Sequence, residues 1–195
     1  MVRPFQNMLK VCCRIRKIVA YIGNLLGKAI DRENLIRVVK ENKATDFYFF
    51  GTYTSKNNNL VTQTKNDTED LTFIKTLKEN TNVSLKGPKS QIDCFLICYK
   101  KTSFYKCDNS HKVLEYLSSG KPIVSSYLSE YKDKGVLQMV DLHQSGTLPE
   151  VLASTLANLD IHNQKQKIIA RLSFALENTY QNQINNIQNH LVKVS

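Results

Sequence analysis

Residues 93–99 read DCFLICY. A run this apolar and this short suits a strand covered on both faces, because a strand with one wet face alternates apolar and polar residues. Sheets buried on both faces are parallel sheets packed between helices, so this run predicts an α/β fold.

The neighbouring segments keep that order. KIVAYIG at 17–23 is a β-rich run that stops at glycine, and TDFYFFG at 45–51 repeats the form. Between them DRENLIRVVKEN, 31–42, places Leu35, Val38 and Val39 on one helical face, with Asp31 near its start. Residues 54–67 are polar loop. Residues 68–79 are expected to be helical, with Thr68 as cap and Leu71, Ile74 and Leu77 on the inner side. A short strand follows at 82–87. After the strand at 93–99 come a helix at 110–119, a strand at 121–126, a short helix at 129–134 and a strand at 135–140. Two helical stretches, 147–158 and 162–193, close the chain. Strand–helix alternation of this kind builds a Rossmann-like, mostly parallel sheet flanked by helices, and its ligands bind at the carboxyl ends of the strands. The loops after residues 22, 50, 86, 99 and 125 therefore share one edge.

That edge gives meaning to DNSHKVLEYLSSGKPIVSS, residues 108–126. Asn109 or Ser110 caps a helix whose free N–H groups point at the crevice and favour a phosphate. Lys112 adds a full charge in the first turn. Glu115 offers a carboxylate able to accept two hydrogen bonds from vicinal ribose hydroxyls. Gly120 ends the helix and Pro122 prevents its continuation. On the residues alone, ordinary helix-to-strand punctuation is the commoner reading of the same pattern. His111 serves equally as a phosphate or sugar contact and as a simple helix-start residue. Tyr99, Phe104 and Tyr105 read as core before base contacts, and Ser125 and Ser126 as a strand end.

Composition narrows the alternatives. The 195 residues are 42% hydrophobic, enough for a core, and no run is long enough to span a membrane. The N-terminus lacks a secretory h-region. The five cysteines, Cys12, Cys13, Cys94, Cys98 and Cys107, are odd in number and fit neither a zinc nor a redox spacing. Buried free thiols and a cytoplasmic location are expected, with no metal site. The sequons at Asn66 and Asn82 are then chance matches. A net charge of +10 favours anionic partners. The basic residues are spread along the chain without aromatic platforms, which argues against nucleic acid. MLKVCCRIRK near the start is basic and amphiphilic; it suits peripheral membrane contact, though an interdomain linker remnant is favoured.

SHKVLEYLSSGKPIVSS resembles the donor-binding segment of group 1 (family 4) glycosyltransferases of GT-B fold. In these a helix bearing a glutamate precedes Ala/Ser-Gly-Lys-Pro-Val-Val. KIVAYIGNLLGKAIDRENLIRVVKEN resembles the first strand, Gly-rich turn and helix of their C-terminal domain. ATDFYFFGTYT, NVSLKGPKS and IDCFLICYKKTSFY resemble its later strands, and LENTYQNQINNIQNHL its closing helix. The resemblance covers roughly residues 17–192.

It implies that Glu115 binds the donor ribose and that Ser110, His111 and Lys112 face the diphosphate. Gly23 and Asn24 match the turn that approaches the phosphates or the transferred sugar, with Lys28 the nearby cation. The loop from Gly87 to Lys89 lies near the base. The implied substrate is a nucleotide sugar, UDP- or GDP-linked, with no cofactor. The implied acceptor is a saccharide or lipid-linked sugar in bacterial cell-surface polysaccharide synthesis.

Several features depart from the family. Cys107 stands where its first motif glutamate falls, as in members with the Asn-x-x-Lys-x-x-Glu-Tyr version, so retention and inversion stay open. The Arg-x4-Lys phosphate clamp is missing. Between Gly87 and Asp93 there is no room for the usual crossover helix, which is therefore deleted or, as favoured, made of residues missing from this sequence. Residues 1–16 are an extension or linker, and 17–195 the nucleotide-sugar-binding domain. The expectation is thus a hexosyltransferase's donor half, lacking its N-terminal acceptor domain and inactive or weakly active alone. It would work in the cytoplasm or at the cytoplasmic membrane face. The alternative is a non-catalytic nucleotide-binding or interaction module on the same fold.

Overall fold

Lys17–Ile22 forms β1, the strand on which the sheet is assembled. Its four inner residues are buried and it pairs in parallel with strands on both sides. The computed structural model describes residues 16–53, 67–86, 91–100 and 111–194. Within them the chain order is β1, α1 (Arg32–Glu41), β2 (Thr45–Phe50), α2 (Asp67–Lys78), β3 (Val83–Ser84) and β4 (Cys94–Ile97). Next come α3 (His111–Leu117), β5 (Ile123–Ser125), β6 (Gln138–Met139), α4 (Leu148–Ala157), α5 (Leu159–His162), α6 (Lys165–Glu177) and α7 (Tyr180–Val194). The strands form one parallel sheet in the order β3-β2-β1-β4-β5-β6. This is the predicted Rossmann-like α/β architecture.

Alternate residues of each central strand feed two cores. Val19, Phe47, Cys94, Leu96 and Val124 pack under α1, α2 and α4, against Leu35, Val38, Leu77 and Leu152. Ala20, Phe95, Ile97 and Ile123 face the opposite side, against Val113, Tyr116 and Leu117 of α3 and Ala175 of α6. Cys94 and Cys98 lie on one face as buried free thiols, and burial pushes the Cys94 thiol up to about 12. Asp31 caps α1 by accepting the Asn34 N–H at 3.0 Å.

Some expectations change. Leu71 is 70% exposed, and Phe73 joins Ile74 and Leu77 in the core instead. Thr68 lies inside α2 and is not its cap; its carbonyl accepts the Thr72 hydroxyl at 2.8 Å. The long closing helix is broken by amide-rich turns. Asn178 folds its side chain back onto the Phe174 carbonyl, and Thr179 Oγ accepts the Asn182 N–H at 3.3 Å to begin α7. The 129–134 helix is a single 3₁₀ turn at Ser129–Tyr131, and β6 is only two residues long.

The strands on either side of the short connection before β4 lie at one level. Ser84 pairs with Tyr48, which is level with Ala20, and β4 begins opposite Val19. The connection between them runs through residues 87–90, which lie outside the described residues. Arg16, assigned to the extension, is tied to the domain: its Nε meets Asp46 at 2.6 Å and its Nη2 donates to the Lys43 carbonyl. Asn82 is buried and directs its amide at the carbonyls of Val39, Asn42 and Thr45, so its sequon is closed to modification.

Candidate functional site

The strand order reverses between β1 and β4, which opens a crevice beyond their carboxyl ends. The loop after β1 is stitched to the end of β4 there. Asp31 N–H donates to the Cys98 carbonyl at 3.1 Å, Lys100 N–H to the Ala29 carbonyl at 2.7 Å, and Ile30 bridges Tyr99. The turn itself is set by local chemistry. Gly23 has φ +148°, and its N–H donates to the Phe50 carbonyl at 2.7 Å. Asn24 Oδ1 accepts the Leu26 N–H at 2.9 Å, an Asx turn. Gly51 packs against the Gly23 carbonyl so closely that a β-carbon on it would collide.

Lys112 enters this corner from α3. Its Nζ lies 3.3 Å from the Tyr21 hydroxyl, 4.6 Å from the Tyr21 ring centroid and 5.7 Å from that of Tyr99. It rests against Gly23 where a side chain would otherwise stand. Burial, followed by the neighbouring phenols of Tyr99 and Tyr116, raises the Tyr21 pKa above the ordinary range. Tyr21 is therefore a neutral acceptor at physiological pH. A cation at the switch point, over two aromatic faces and beside a glycine turn, has the charge to attract an anionic ligand.

Tyr116 holds α3 in place. Its hydroxyl accepts the Ile22 N–H at 2.7 Å and donates to the Ile22 carbonyl at 3.1 Å, and its ring stacks on Phe95 at 4.2 Å. Below it Gly120, with φ +71°, ends the helix as expected, and its carbonyl accepts Arg171 Nε at 2.9 Å. Sequence reasoning passed over Tyr21 and Tyr116. The signal was present: Tyr116 lies four residues after Lys112, on the same helical face.

The adjoining face of α3 looks elsewhere. His111, Leu114 and Glu115 line a cleft of about 440 Å³, closed on its far side by Leu172, Tyr180 and Gln183. The His111 ring lies 5.0 Å from that of Tyr180. Glu115 is exposed at this cleft. The structure thus brings together Lys112 and Gly23, with Asn24 shaping their turn, and sets Glu115 and His111 on the neighbouring helical face. Lys28 is exposed on the same loop. Ser110, Gly87 and Cys107 lie outside the described residues. Ser126 is engaged in structure, its Oγ accepting the Tyr99 N–H at 2.8 Å. Among the described residues no helix is long and apolar enough to cross a membrane.

No protein-family model matches the chain, and neither does any curated protein. Solved structures do. Sucrose-phosphate synthase from Thermosynechococcus elongatus superposes with TM-score 0.60 at 12% identity, over 92% of this chain and 46% of that one. A UDP-forming α,α-trehalose-phosphate synthase from Burkholderia vietnamiensis gives 0.59 at 13%, over 93% and 46%. HepE of Anabaena, solved in complex with UDP-glucose, gives 0.62 at 11%, over 92% and 49%. The chain spans just under half the length of these structures. Its fold is that of one Rossmann-like half of a GT-B glycosyltransferase.

Proposed function

We propose that this chain is the donor-binding half of a glycosyltransferase that moves a sugar from a nucleoside diphosphate, UDP or GDP, to a saccharide or lipid-linked acceptor. The observation that carries the reading is the Lys112 ammonium held against Gly23 at the switch point. The donor diphosphate sits there, its oxygens on Lys112. One turn further along α3, Glu115 takes the ribose hydroxyls. When the glycosidic bond breaks, negative charge accumulates on the leaving diphosphate. A cation already positioned at that spot stabilises this charge without reorganising.

The acceptor and the second wall of the cleft belong to another domain. An apolar stripe supports this. Leu176, Tyr180, Ile184 and Ile187 on α6 and α7 are 68%, 67%, 48% and 61% exposed. Such a stripe, at helical spacing along α7, suits a covering surface. The assembled enzyme acts at the cytoplasmic side of a membrane in cell-surface polysaccharide synthesis, and the chain alone binds donor with little or no transfer.

Calorimetric titration with UDP, GDP and ADP tests the reading. Saturable binding of one nucleotide, weakened in Glu115→Ala, is expected; no binding of any of the three would overturn it. A second reading, a nucleotide-binding module without transfer, is favoured by Cys107 at the position of the family's first glutamate. It predicts that nucleotide binding survives in the assembled protein with no sugar transferred.

A further inference from the structure

We infer that Tyr116 is a positioning residue for the Lys112 anion site, acting through its hydroxyl on the backbone of Ile22. The inference rests on the proposal that Lys112 meets the donor diphosphate, and adds the device that sets the site's geometry. Ile22 immediately precedes Gly23, the residue against which the ammonium rests. Tyr116 Oη bonds both backbone groups of Ile22, at 2.7 and 3.1 Å. Lys112 and Tyr116 are four residues apart on α3, so they leave the helix on one face, one turn apart. One therefore fastens the helix to the end of β1, and the other reaches the next residue of that strand's turn. The two sides of the anion site, helix and glycine turn, are held at a fixed separation by this hydroxyl.

Tyr116 leaves the last turn of α3 and reaches back to the end of β1. The lower end of the helix is held independently, by Arg171 on the Gly120 carbonyl and by Ile168 and Leu172 beneath Gly120. The Tyr116 ring contributes its own packing through Phe95. Removing only the hydroxyl should thus loosen α3 against the end of β1 and leave the core intact. A long lysine side chain whose base moves loses its place over Tyr21 and Gly23.

The test compares Tyr116→Phe with Phe95→Leu, which loosens the same packing but keeps the hydroxyl. The first readout needs no nucleotide. Acetylation of Lys112 by an N-hydroxysuccinimide ester is followed peptide by peptide, with exposed Lys40 and Lys165 as references. Tyr116→Phe should raise the Lys112 rate several-fold, and Phe95→Leu should not. The second readout is affinity for UDP beside uridine. Tyr116→Phe should weaken UDP about tenfold, the scale of one charge-assisted hydrogen bond, and leave uridine unchanged. The double variant with Lys112→Met should bind UDP no worse than Lys112→Met alone. An unchanged Lys112 rate overturns the inference, as does an equal loss for uridine or full additivity in the double variant. If wild-type protein binds no UDP, the donor reading falls, and the labelling still decides whether Tyr116 positions Lys112.

Discussion

The Lys112 ammonium occupies the place where a β-carbon on residue 23 would stand. Glycine at 23 and lysine at 112 are therefore one structural choice, made 89 residues apart in the chain (112 minus 23). Gly23→Ala should carry two penalties. The positive φ disfavours any β-carbon, by about 1–2 kcal/mol, and the methyl displaces Nζ and Cε of Lys112. Thermal unfolding should fall by roughly 2–8 °C, taking about 2–4 °C per kcal/mol at this size. UDP affinity should fall further than that loss of stability explains.

In the proposed reading the two faces of α3 divide the donor between them. Lys112→Met should weaken UDP and inorganic pyrophosphate alike, by tenfold or more, since hydrogen bonds to charged groups contribute about 1.5–3 kcal/mol. It should also flatten the dependence of binding on salt. Glu115→Ala should weaken UDP and uridine but leave pyrophosphate unchanged. Titration of both variants with the three ligands checks this. A Glu115→Ala variant that loses pyrophosphate binding would contradict the division.

Asn82 belongs to the scaffold. It clamps the end of α1 and the start of β2 through three carbonyls. Asn82→Ala leaves buried acceptors unpaired, at about 1–3 kcal/mol. Urea denaturation should show that loss, with nucleotide affinity per folded molecule unchanged.

Alkaline pH should loosen the fold through its buried phenols. Burial raises the pKa of Tyr21 and, against the lowering effect of its Ile22 hydrogen bond, that of Tyr116. The folded state then holds these protons more tightly than the unfolded chain. Their contribution is complete below the ordinary tyrosine value near 10 and is lost as pH rises above it toward the raised folded values. Within that window each such phenol steepens the decline by roughly 1.4 kcal/mol per pH unit. Tyr116→Phe should remove one phenol's share of the slope, as read by denaturation between pH 9 and 11.

The fold was legible because strand and helix periods are local. DCFLICY and KIVAYIG declare buried central strands, and Leu35, Val38 and Val39 declare the inner face of α1. The edges were less legible. β3 and β6 pair through two residues each, too few to leave a pattern. Leu71 fits the helical stripe but is exposed, because Phe73 fills the space beneath α2. Lys112 and Gly23 were each visible as site residues, but their contact is not a property of either segment. Tyr21 and Tyr116 went unseen for the same reason, since both act across the junction of β1 and α3. The ring contact of His111 with Tyr180 was likewise not legible, since it is set by how α7 returns.

A crystal structure of this chain with UDP tests the central claim most directly. The account predicts a phosphate oxygen within about 3 Å of Lys112 Nζ, beside the Gly23 turn, with the ribose hydroxyls toward Glu115. A nucleotide bound elsewhere, with Lys112 still resting on Tyr21, would contradict it.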